Sequence, residues 1–352
     1  MILPVWVASR GNWCYIKVSA GRDASSRGKE TMDPHIEPAT TLQAAGAAAG
    51  HSGSGTAASS HGKTGESRIR GWQVGDVKVT SIMESADRIP WSPLFPAETA
   101  DHYKKYDWLV PKWVTPAGEI ILAVQAFVLE IRDQKIVIDT CVGNDREREL
   151  PQCAKMQTAF LEDFKVAGID PDSVTAVLCT HLHFDHCGWN TKLENGKWVP
   201  TFPNARYLFG RKEWAYWQNV RKEKSESVQH IMDSVQPILD AGLADFVDTN
   251  HSVTPEICLE PSHGHTPGHV SVRVASRGHE AVVSGDVFHS PIQFAEPEIC
   301  SAACVDKDMS RQTRRDFITR YGNSAVRFFA IHFNEPAGHL VSDARGWRFT
   351  TD

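Results

Sequence analysis

One short stretch constrains this chain more than any other. Residues 180–189 read THLHFDHCGW, and the run that leads into them, SVTAVLCT, is apolar and β-branched like a buried strand. The core of the stretch is His181-x-His183-x-Asp185-His186. Imidazoles and a carboxylate packed this closely are the ligand types that zinc and similar divalent ions prefer. In extended backbone, residues two apart point to the same side. His181 and His183 can therefore share one ion while Asp185 and His186 turn toward a second. The competing reading is a chance, solvated histidine cluster. It loses ground because three more segments of the same character follow.

Residues 262–270 read SHGHTPGHV, with His263, His265 and His269. Residues 281–286 read AVVSGD, which puts Asp286 at the end of a strand, and three residues on stands His289. AVRFFAIHF, 325–333, ends another apolar run on His332. The remaining pattern is mixed. WQVGDVKVTSIME alternates like a strand, and EIILAVQAFVLEI and QKIVIDT, separated by Arg-Asp, predict a hairpin. MQTAFLEDFKVAGI, SVQHIMDSVQPILDAG and SRQTRRDFITRYG have helical spacing, the first stopping at Gly168. Two strand-rich halves with interspersed helices predict an α/β architecture of two sheets packed face to face with helices outside, in one domain over 71–352.

Residues 1–70 differ. From Ala39 to Ser67 they are Ala, Gly, Ser and Thr with almost no large apolar residue, a composition that cannot bury enough surface to fold. The expectation is a flexible N-terminal tail. Its opening, MILPVWVA, has no basic region before it, so it does not read as a signal peptide, and a cytoplasmic location follows as the expectation. The chain carries a net charge of −6, with +3 in the first 70 residues and −9 in the rest. That body lacks the basic footprint of a nucleic-acid binder. No apolar run approaches the roughly 20 residues of a membrane span. The eight cysteines are scattered without a CxxC, which favours free thiols over a disulfide framework.

The linked motifs HxHxDH, GHTPGH, SGD and the late IHF stand in the order of the metallo-β-lactamase superfamily, and from about Gly71 to the C-terminus the chain resembles that family. The resemblance implies a four-layered αβ/βα sandwich. It implies that His181, His183 and His265 hold a first metal, that Asp185, His186 and His332 hold a second, and that Asp286 bridges the two. The cofactor it implies is a pair of divalent ions, zinc first, with manganese, iron and cobalt as alternatives. Asp139, in VIDTCVGN, matches an early aspartate that orients a metal histidine, and His269 matches a supporting histidine. Two such ions lower the pKa of a shared water toward neutrality, so that a bridging hydroxide becomes the nucleophile. Asp185 would also pass a proton to the leaving group. Cys187 reads as a packed thiol rather than a ligand.

Departures narrow the branch. Asp286 stands where lactam-hydrolysing members typically lack an aspartate. His186 to His265 spans 79 positions, which leaves room for an inserted region such as ENGKWVPTFPNARYLFGRKEWAYW and resembles the larger parathion-hydrolase-type members more than the compact acyl-homoserine lactonases. Many compact homoserine lactonases carry a tyrosine three residues after the bridging aspartate. Here His289 occupies that place and is a candidate to hydrogen-bond a substrate oxygen. His263 and His339 lie beside ligand motifs without an assigned role. Of the tryptophans, Trp189 is the foremost candidate for a pocket wall, and RIPWSPLFP is a candidate lid or dimer arm.

The resulting expectation is a dinuclear metal-dependent hydrolase acting on a small ester-like substrate: a lactone, a carboxyl ester or an organophosphate. Its alternatives are an iron-dependent redox enzyme on the same fold and a lactam hydrolase. A small-molecule substrate, no nucleic acid, no membrane and a homodimer complete the expected partners.

Overall fold

The structure is a computed structural model that describes residues 68–223 and 228–351, together with the backbone of a hairpin formed by β1 (Val5–Ser9) and β2 (Asn12–Ile16). The Ala- and Gly-rich segment of the expected tail lies outside the described residues. The first sheet contains β3 (Ile69–Val74), β4 (Val77–Ile89), β5 (Ile120–Ile131), β6 (Gln134–Ile138) and β7 (Ala176–Leu178). A separate hairpin of β8 (Thr191–Glu194) and β9 (Lys197–Pro200) follows. The chain then returns to the first sheet with β10 (Arg206–Gly210) and β11 (Ala244–Val247), in the order β11-β10-β7-β6-β5-β4-β3. The second sheet runs in chain order through β12 (Ser252–Thr254), β13 (Ile257–Pro261), β14 (Val270–Ser276), β15 (His279–Val283), β16 (Arg327–Phe329), β17 (Ala337–Asp343) and β18 (Gly346–Thr351).

Strand periodicity explains how two sheets make four layers. Successive side chains on β5 alternate faces. Phe127 and Leu129 pack inward with Ile136, Ile138 and Leu178 against Val272, Val274, Val283 and Phe329 of the second sheet. Their neighbours Ala126 and Val128 face the other way, onto α2 (Phe160–Val166), α4 (Arg211–Glu223), α5 (Gln229–Ser234) and α6 (Gln236–Asp240). The outer face of the second sheet, through Val282, Phe328 and Phe349, shares its core with α1 (Trp91–Leu94), α7 (Ile292–Ala295) and α8 (Lys307–Tyr321). Strands buried on both faces need nearly continuous apolar sequence, which is what β5 and β6 supply.

The expected elements are found with local corrections. The single strand read over Trp72–Glu84 is two strands joined at Gly75, whose φ is +57°. The helix read over 227–242 is broken into α5 and α6 around Val235, where the following Gln236-Pro237 restarts it. Arg132 takes a positive φ of 52° in the β5–β6 hairpin turn. The seven described cysteines are free thiols. Among the described residues no helix is long and apolar enough to cross a membrane.

One buried ion cluster ties the helical layer to the loops that follow β6 and β7. Asp233 on α5 receives Arg146 Nη1 at 2.8 Å and Arg148 Nη1 at 2.7 Å. Arg146 also donates to the carbonyls of Gly188 and Thr191. Burial alone would raise the Asp233 carboxyl, but the Arg148 hydrogen bond and the Arg146 charge outweigh it and hold the group below its ordinary 3.8. A depressed carboxyl contributes stability above its unfolded pKa and loses it as pH falls through the folded one. Asp233→Asn is therefore expected to destabilise the fold by about 3 kcal/mol near neutrality. In denaturant titrations the gap between variant and parent should close as pH drops below 3.8.

Candidate metal centre

The candidate ligands come from loops that leave the same edge of the sandwich, and strand register places them. β6 and β7 are parallel, with Ile138 opposite Leu178, so Asp139 and Thr180 emerge side by side. β15 and β16 are also parallel, with Val283 opposite Phe329, so Asp286 and His332 each stand three residues beyond a paired position. Directly after β7 the chain turns at His183 into α3 (Phe184–Cys187), which presents Asp185 and His186.

Two donor groups result. His181, His183, His265 and Asp286 form one, and Asp185, His186 and His332 form the other; within each, the ligand atoms lie within 4.8 Å of one another. Asp286 faces both. Its Oδ1 is 3.1 Å from His186 Nε2 and 3.0 Å from His332 Nε2, and its Oδ2 is 3.2 Å from His265 Nε2. In the first group, His181 Nε2, His183 Nδ1 and His265 Nε2 are mutually separated by 2.9, 2.8 and 3.1 Å. Burial and neighbouring imidazoles hold His181 and His265 well below their usual range, and burial pulls His183 down to about 4, so these rings are neutral. Three neutral rings cannot point hydrogens and lone pairs at one spot in a consistent hydrogen-bonded triangle, but three lone pairs can converge on a cation.

The second group differs. Burial would lower His186 and His332, but the carboxylates of Asp286 and Asp185, with Asp139 added at His186, outweigh it and raise both. Negative charge is thus in excess at this position. His186 Nε2 and Asp286 Oδ1 are buried without a hydrogen-bond partner, and both face the gap between ligands. The donor set therefore fits divalent cations.

Each ring is aimed from behind. His186 Nδ1 donates to Asp139 Oδ2 at 2.8 Å, and Asp139 is in turn held by the Thr180 amide at 2.6 Å. His332 Nδ1 donates to the Ala123 carbonyl at 2.8 Å, which ties the second sheet's ligand to β5 of the first. His265 Nδ1 lies 3.6 Å from Cys304 Sγ. His269 Nε2 accepts the Asp286 amide at 2.9 Å, so it positions the aspartate's backbone rather than offering a ligand. Such outer contacts fix tautomer and orientation.

Two buried glutamates that the sequence does not single out clamp these loops. Glu213, at the start of α4, accepts four hydrogen bonds: Leu182 N at 3.1 Å, Trp217 Nε1 at 2.7 Å, Thr266 Oγ1 at 2.7 Å and Gly268 N at 3.1 Å. It joins the His181–His183 turn to the loop carrying His265. Glu84 sits at a bulge in β4 and accepts from the amides of Val142 and Gly143, from Thr158 and from Trp189 Nε1 at 2.6 Å. Burial raises both carboxyls above their usual range, and the hydrogen-bond donors offset that only in part.

The expected pocket wall is corrected at one residue. Trp189 is buried, stacks on Phe160 at 5.6 Å and is spent on Glu84. The indole that faces the site is Trp217, edge-on to His183 at 5.6 Å. A cavity of about 460 Å³ opens over the ligands, walled by Ile89, Pro93, Leu94, Leu122, Met156 and Trp217 and floored by His183, Asp185, Asp286, His289 and His332. The RIPWSPLFP segment thus reaches the cavity. His289 stacks on His332 at 5.5 Å with its Nε2 3.2 Å from Asp286 Oδ2. Cys187 is buried, as expected of a packed thiol. His263 and His339 bond to backbone carbonyls, of His269 and Val326, away from the ligand groups.

The family model for the metallo-beta-lactamase superfamily matches residues 121–332, and the chain belongs to that superfamily. An N-acyl homoserine lactonase of Bacillus sp. is 24% identical over 174 residues, 46% of this chain and 62% of that protein. An N-acyl homoserine lactonase of Bacillus thuringiensis is 24% identical over 208 residues, 53% of this chain and 75% of that one. The match thus spans less than two thirds of the Bacillus sp. protein's length. Among solved structures, the hydrolase AbOPH of the beta lactamase superfamily superposes with a TM-score of 0.68 at 22% identity, over 82% of this chain and 98% of that one. AidC, described as a dizinc quorum-quenching lactonase in complex with a product, gives 0.67 at 20% identity, over 81% and 97%. These structures share the fold.

Because Glu213 holds together the two loops that carry the histidines of the first ligand group, Glu213→Ala is expected to weaken metal affinity about 10–100-fold. Competition against a chromophoric chelator measures this, and Glu213→Gln, which keeps the acceptor at one end, should fall between the two. Unchanged affinity in a folded Glu213→Ala protein would break the link between clamp and ligands.

Proposed function

We propose that the protein is a hydrolase dependent on two divalent metal ions, zinc foremost, that cleaves small, fairly apolar ester-like substrates: lactones, carboxyl esters or organophosphate esters. The observation that carries this reading is the convergence of seven ligand-type side chains beneath an apolar cavity, four of which (His183, Asp185, Asp286 and His332) line its floor. His181, His183 and His265 would hold one ion, Asp185, His186 and His332 the other, with Asp286 between them. Bound there, such ions polarise a carbonyl or phosphoryl oxygen and acidify water, which is the chemistry ester cleavage needs.

The chain's own residues supply the rest. The apolar wall sheds water from the substrate's hydrocarbon part and leaves its ester at the polar floor. Asp185, with its side chain 19% exposed against 4% for Asp286, is the more accessible of the two carboxylates on the cavity floor and is suited to hand a proton to the departing alcohol. His289 is braced by Asp286 through Nε2, and its Nδ1 is buried without a partner. A substrate oxygen only accepts, so His289 would meet it with a ring N–H, either Nε2–H turned from Asp286 to the substrate or Nδ1 in a doubly protonated ring. The lactonase relatives, and the dizinc lactonase that shares the fold, support the lactone arm of the reading.

The test is turnover of a lactone, a nitrophenyl ester, a phosphotriester and a chromogenic lactam, with elemental analysis of the protein. About two transition-metal ions per chain are expected, with clear turnover of a lactone or ester that falls at least a hundredfold in His183→Ala. Fewer than one tightly bound ion per chain, or no turnover of any of the esters by metal-loaded protein, would overturn the reading.

A further inference from the structure

Cys300 and Cys304 lie between α7 and α8, in a segment that supplies no candidate ligand. A turn brings them together: the Cys304 amide donates to the Ser301 carbonyl at 3.2 Å and the Ala303 amide to Ser301 Oγ at 3.1 Å. Both side chains are buried, and the Cys304 thiol hydrogen-bonds to Cys300. The buried guanidinium of Arg314, on α8, is paired with Cys300 as well. Arg314 gives Nε to the Pro297 carbonyl at 2.9 Å and Nη1 to the Val287 carbonyl at 3.4 Å, while its Nη2 meets no oxygen or nitrogen acceptor. Among the described residues no carboxylate pairs with this cation. A buried charge needs a counter-charge, and the ionisable side chain in reach is Cys300. The Cys304 hydrogen bond, then the charges of Arg314 and Arg311, outweigh burial and hold the Cys300 thiol below its ordinary 9.0. Cys300 is thus the thiolate and Cys304 the thiol that donates to it. The Lys307 carbonyl, 3.8 Å from Cys300 Sγ, is too distant to hold a thiol proton there firmly.

Two further contacts give the pair a way in and a way out. Ala302, Ala303 and Val305 line the cavity, and Cys300 is 2% exposed rather than sealed. Hydrogen peroxide is little larger than water, and it is the thiolate that it oxidises. On the inner side, Cys304 Sγ is 3.6 Å from His265 Nδ1. With Nε2 turned to the first ligand group, that Nδ1 carries the ring proton and the sulfur accepts it.

We propose that Cys300 and Cys304 are a redox modification site: a hydroperoxide oxidises Cys300, Cys304 closes the disulfide, and His265 loses the sulfur that steadies its ring. The inference goes beyond the hydrolase reading, and only its last clause touches the metal centre. In the first step the Cys300 thiolate attacks a peroxide oxygen. The O–O bond breaks, an S–O bond forms, and the departing hydroxide takes a solvent proton to become water. Cys300, two electrons poorer, is then a sulfenic acid. In the second step Cys304 sulfur attacks Cys300 sulfur. The S–S bond forms, the S–O bond breaks, and hydroxide leaves with the Cys304 proton as a second water. The new bond draws Cys304 Sγ off His265.

The test treats the full, zinc-loaded chain with hydrogen peroxide, blocks the remaining thiols with iodoacetamide and weighs the peptides. The peptide that holds both cysteines should lose two hydrogens and escape alkylation, and Cys300→Ser should abolish this. Cys153 is the internal control. It is half-buried and lines the cavity, yet burial pushes its thiol up to about 12, so exposure and thiolate character predict opposite orders of reaction. Cys300 should be oxidised at least about tenfold faster than Cys153. Arg314→Gln should slow that reaction about tenfold, and Arg314→Lys, which keeps the charge, should recover part of it. Metal affinity, read against a chromophoric chelator, should fall about tenfold on oxidation and return with dithiothreitol.

Oxidation of Cys153 ahead of Cys300, or a Cys300 that gains oxygen without closing a disulfide, would overturn the proposal. So would an unchanged rate in a folded Arg314→Gln protein; if that variant does not fold, the order of Cys300 and Cys153 in the parent decides. Unchanged metal affinity in the disulfide form would overturn the link to His265. None of these readouts needs turnover, so a chain that cleaves no ester would sink the hydrolase reading and leave the dithiol site standing.

Discussion

A buried carboxylate ringed by imidazoles is the constraint on which the rest depends. Asp286 lies within 3.8 Å of His181, His186, His265, His289 and His332, and its side chain is 4% exposed. An ionised carboxylate removed from water must be compensated. Here its ion-pair partners are all histidines, and two of these, His181 and His265, are held neutral. Compensation by ring protons alone would set the imidazoles against one another at separations near 3 Å. Divalent cations bound beside the carboxylate would remove the conflict, because the rings would then offer lone pairs instead of competing protons.

Holding such an arrangement open is the task of the surrounding protein. The sheets contribute register: two parallel pairings deliver Asp139 beside Thr180 and Asp286 beside His332. The loops contribute direction, through the Asp139–His186 and Ala123–His332 hydrogen bonds. Glu213 and Glu84 contribute stiffness. Each is a buried carboxylate with four donors, and each spans loops that no strand pairing connects. Gly188 shows how closely the loops approach, since a Cβ there would lie 1.8 Å from the Val142 carbonyl.

How much of this was legible in the sequence follows from how local each signal is. The HxHxDH run, Asp286 and His332 sit at the ends of apolar strands, so pattern and chemistry coincide there, and the family resemblance those motifs carry was enough to name candidate ligands that the structure brings together. The two-sheet architecture was legible for a similar reason, as strands buried on both faces read as unbroken Val, Ile and Leu. Glu213 was not legible. In RKEWAYW it reads as a solvated helix face, and only the return of the chain at Thr266 and Gly268 buries it. Glu84 depends in the same way on a bulge in β4. The tryptophan assignment failed because sequence proximity to His186 was taken for spatial access. Trp189 follows α3 inward to Phe160 and Glu84, whereas Trp217 reaches the cavity from a helix 28 residues further along.

The two ligand groups are not equivalent, and the asymmetry gives the site a direction. The first holds three neutral imidazoles, with Asp286 as its only carboxylate. The second adds Asp185, and His186 is backed by Asp139 as well, so negative charge concentrates there. A cation at the second position would be the more fully neutralised of the two, so an ion at the first would keep more of its charge for polarising an ester oxygen. Asp185, the more exposed of the two carboxylates among the candidate ligands, would remain on the cavity side to handle a proton. On the proposed reading the site's asymmetry therefore comes from where the chain puts its carboxylates: Asp185 and Asp139 beside the second group, and only the shared Asp286 at the first.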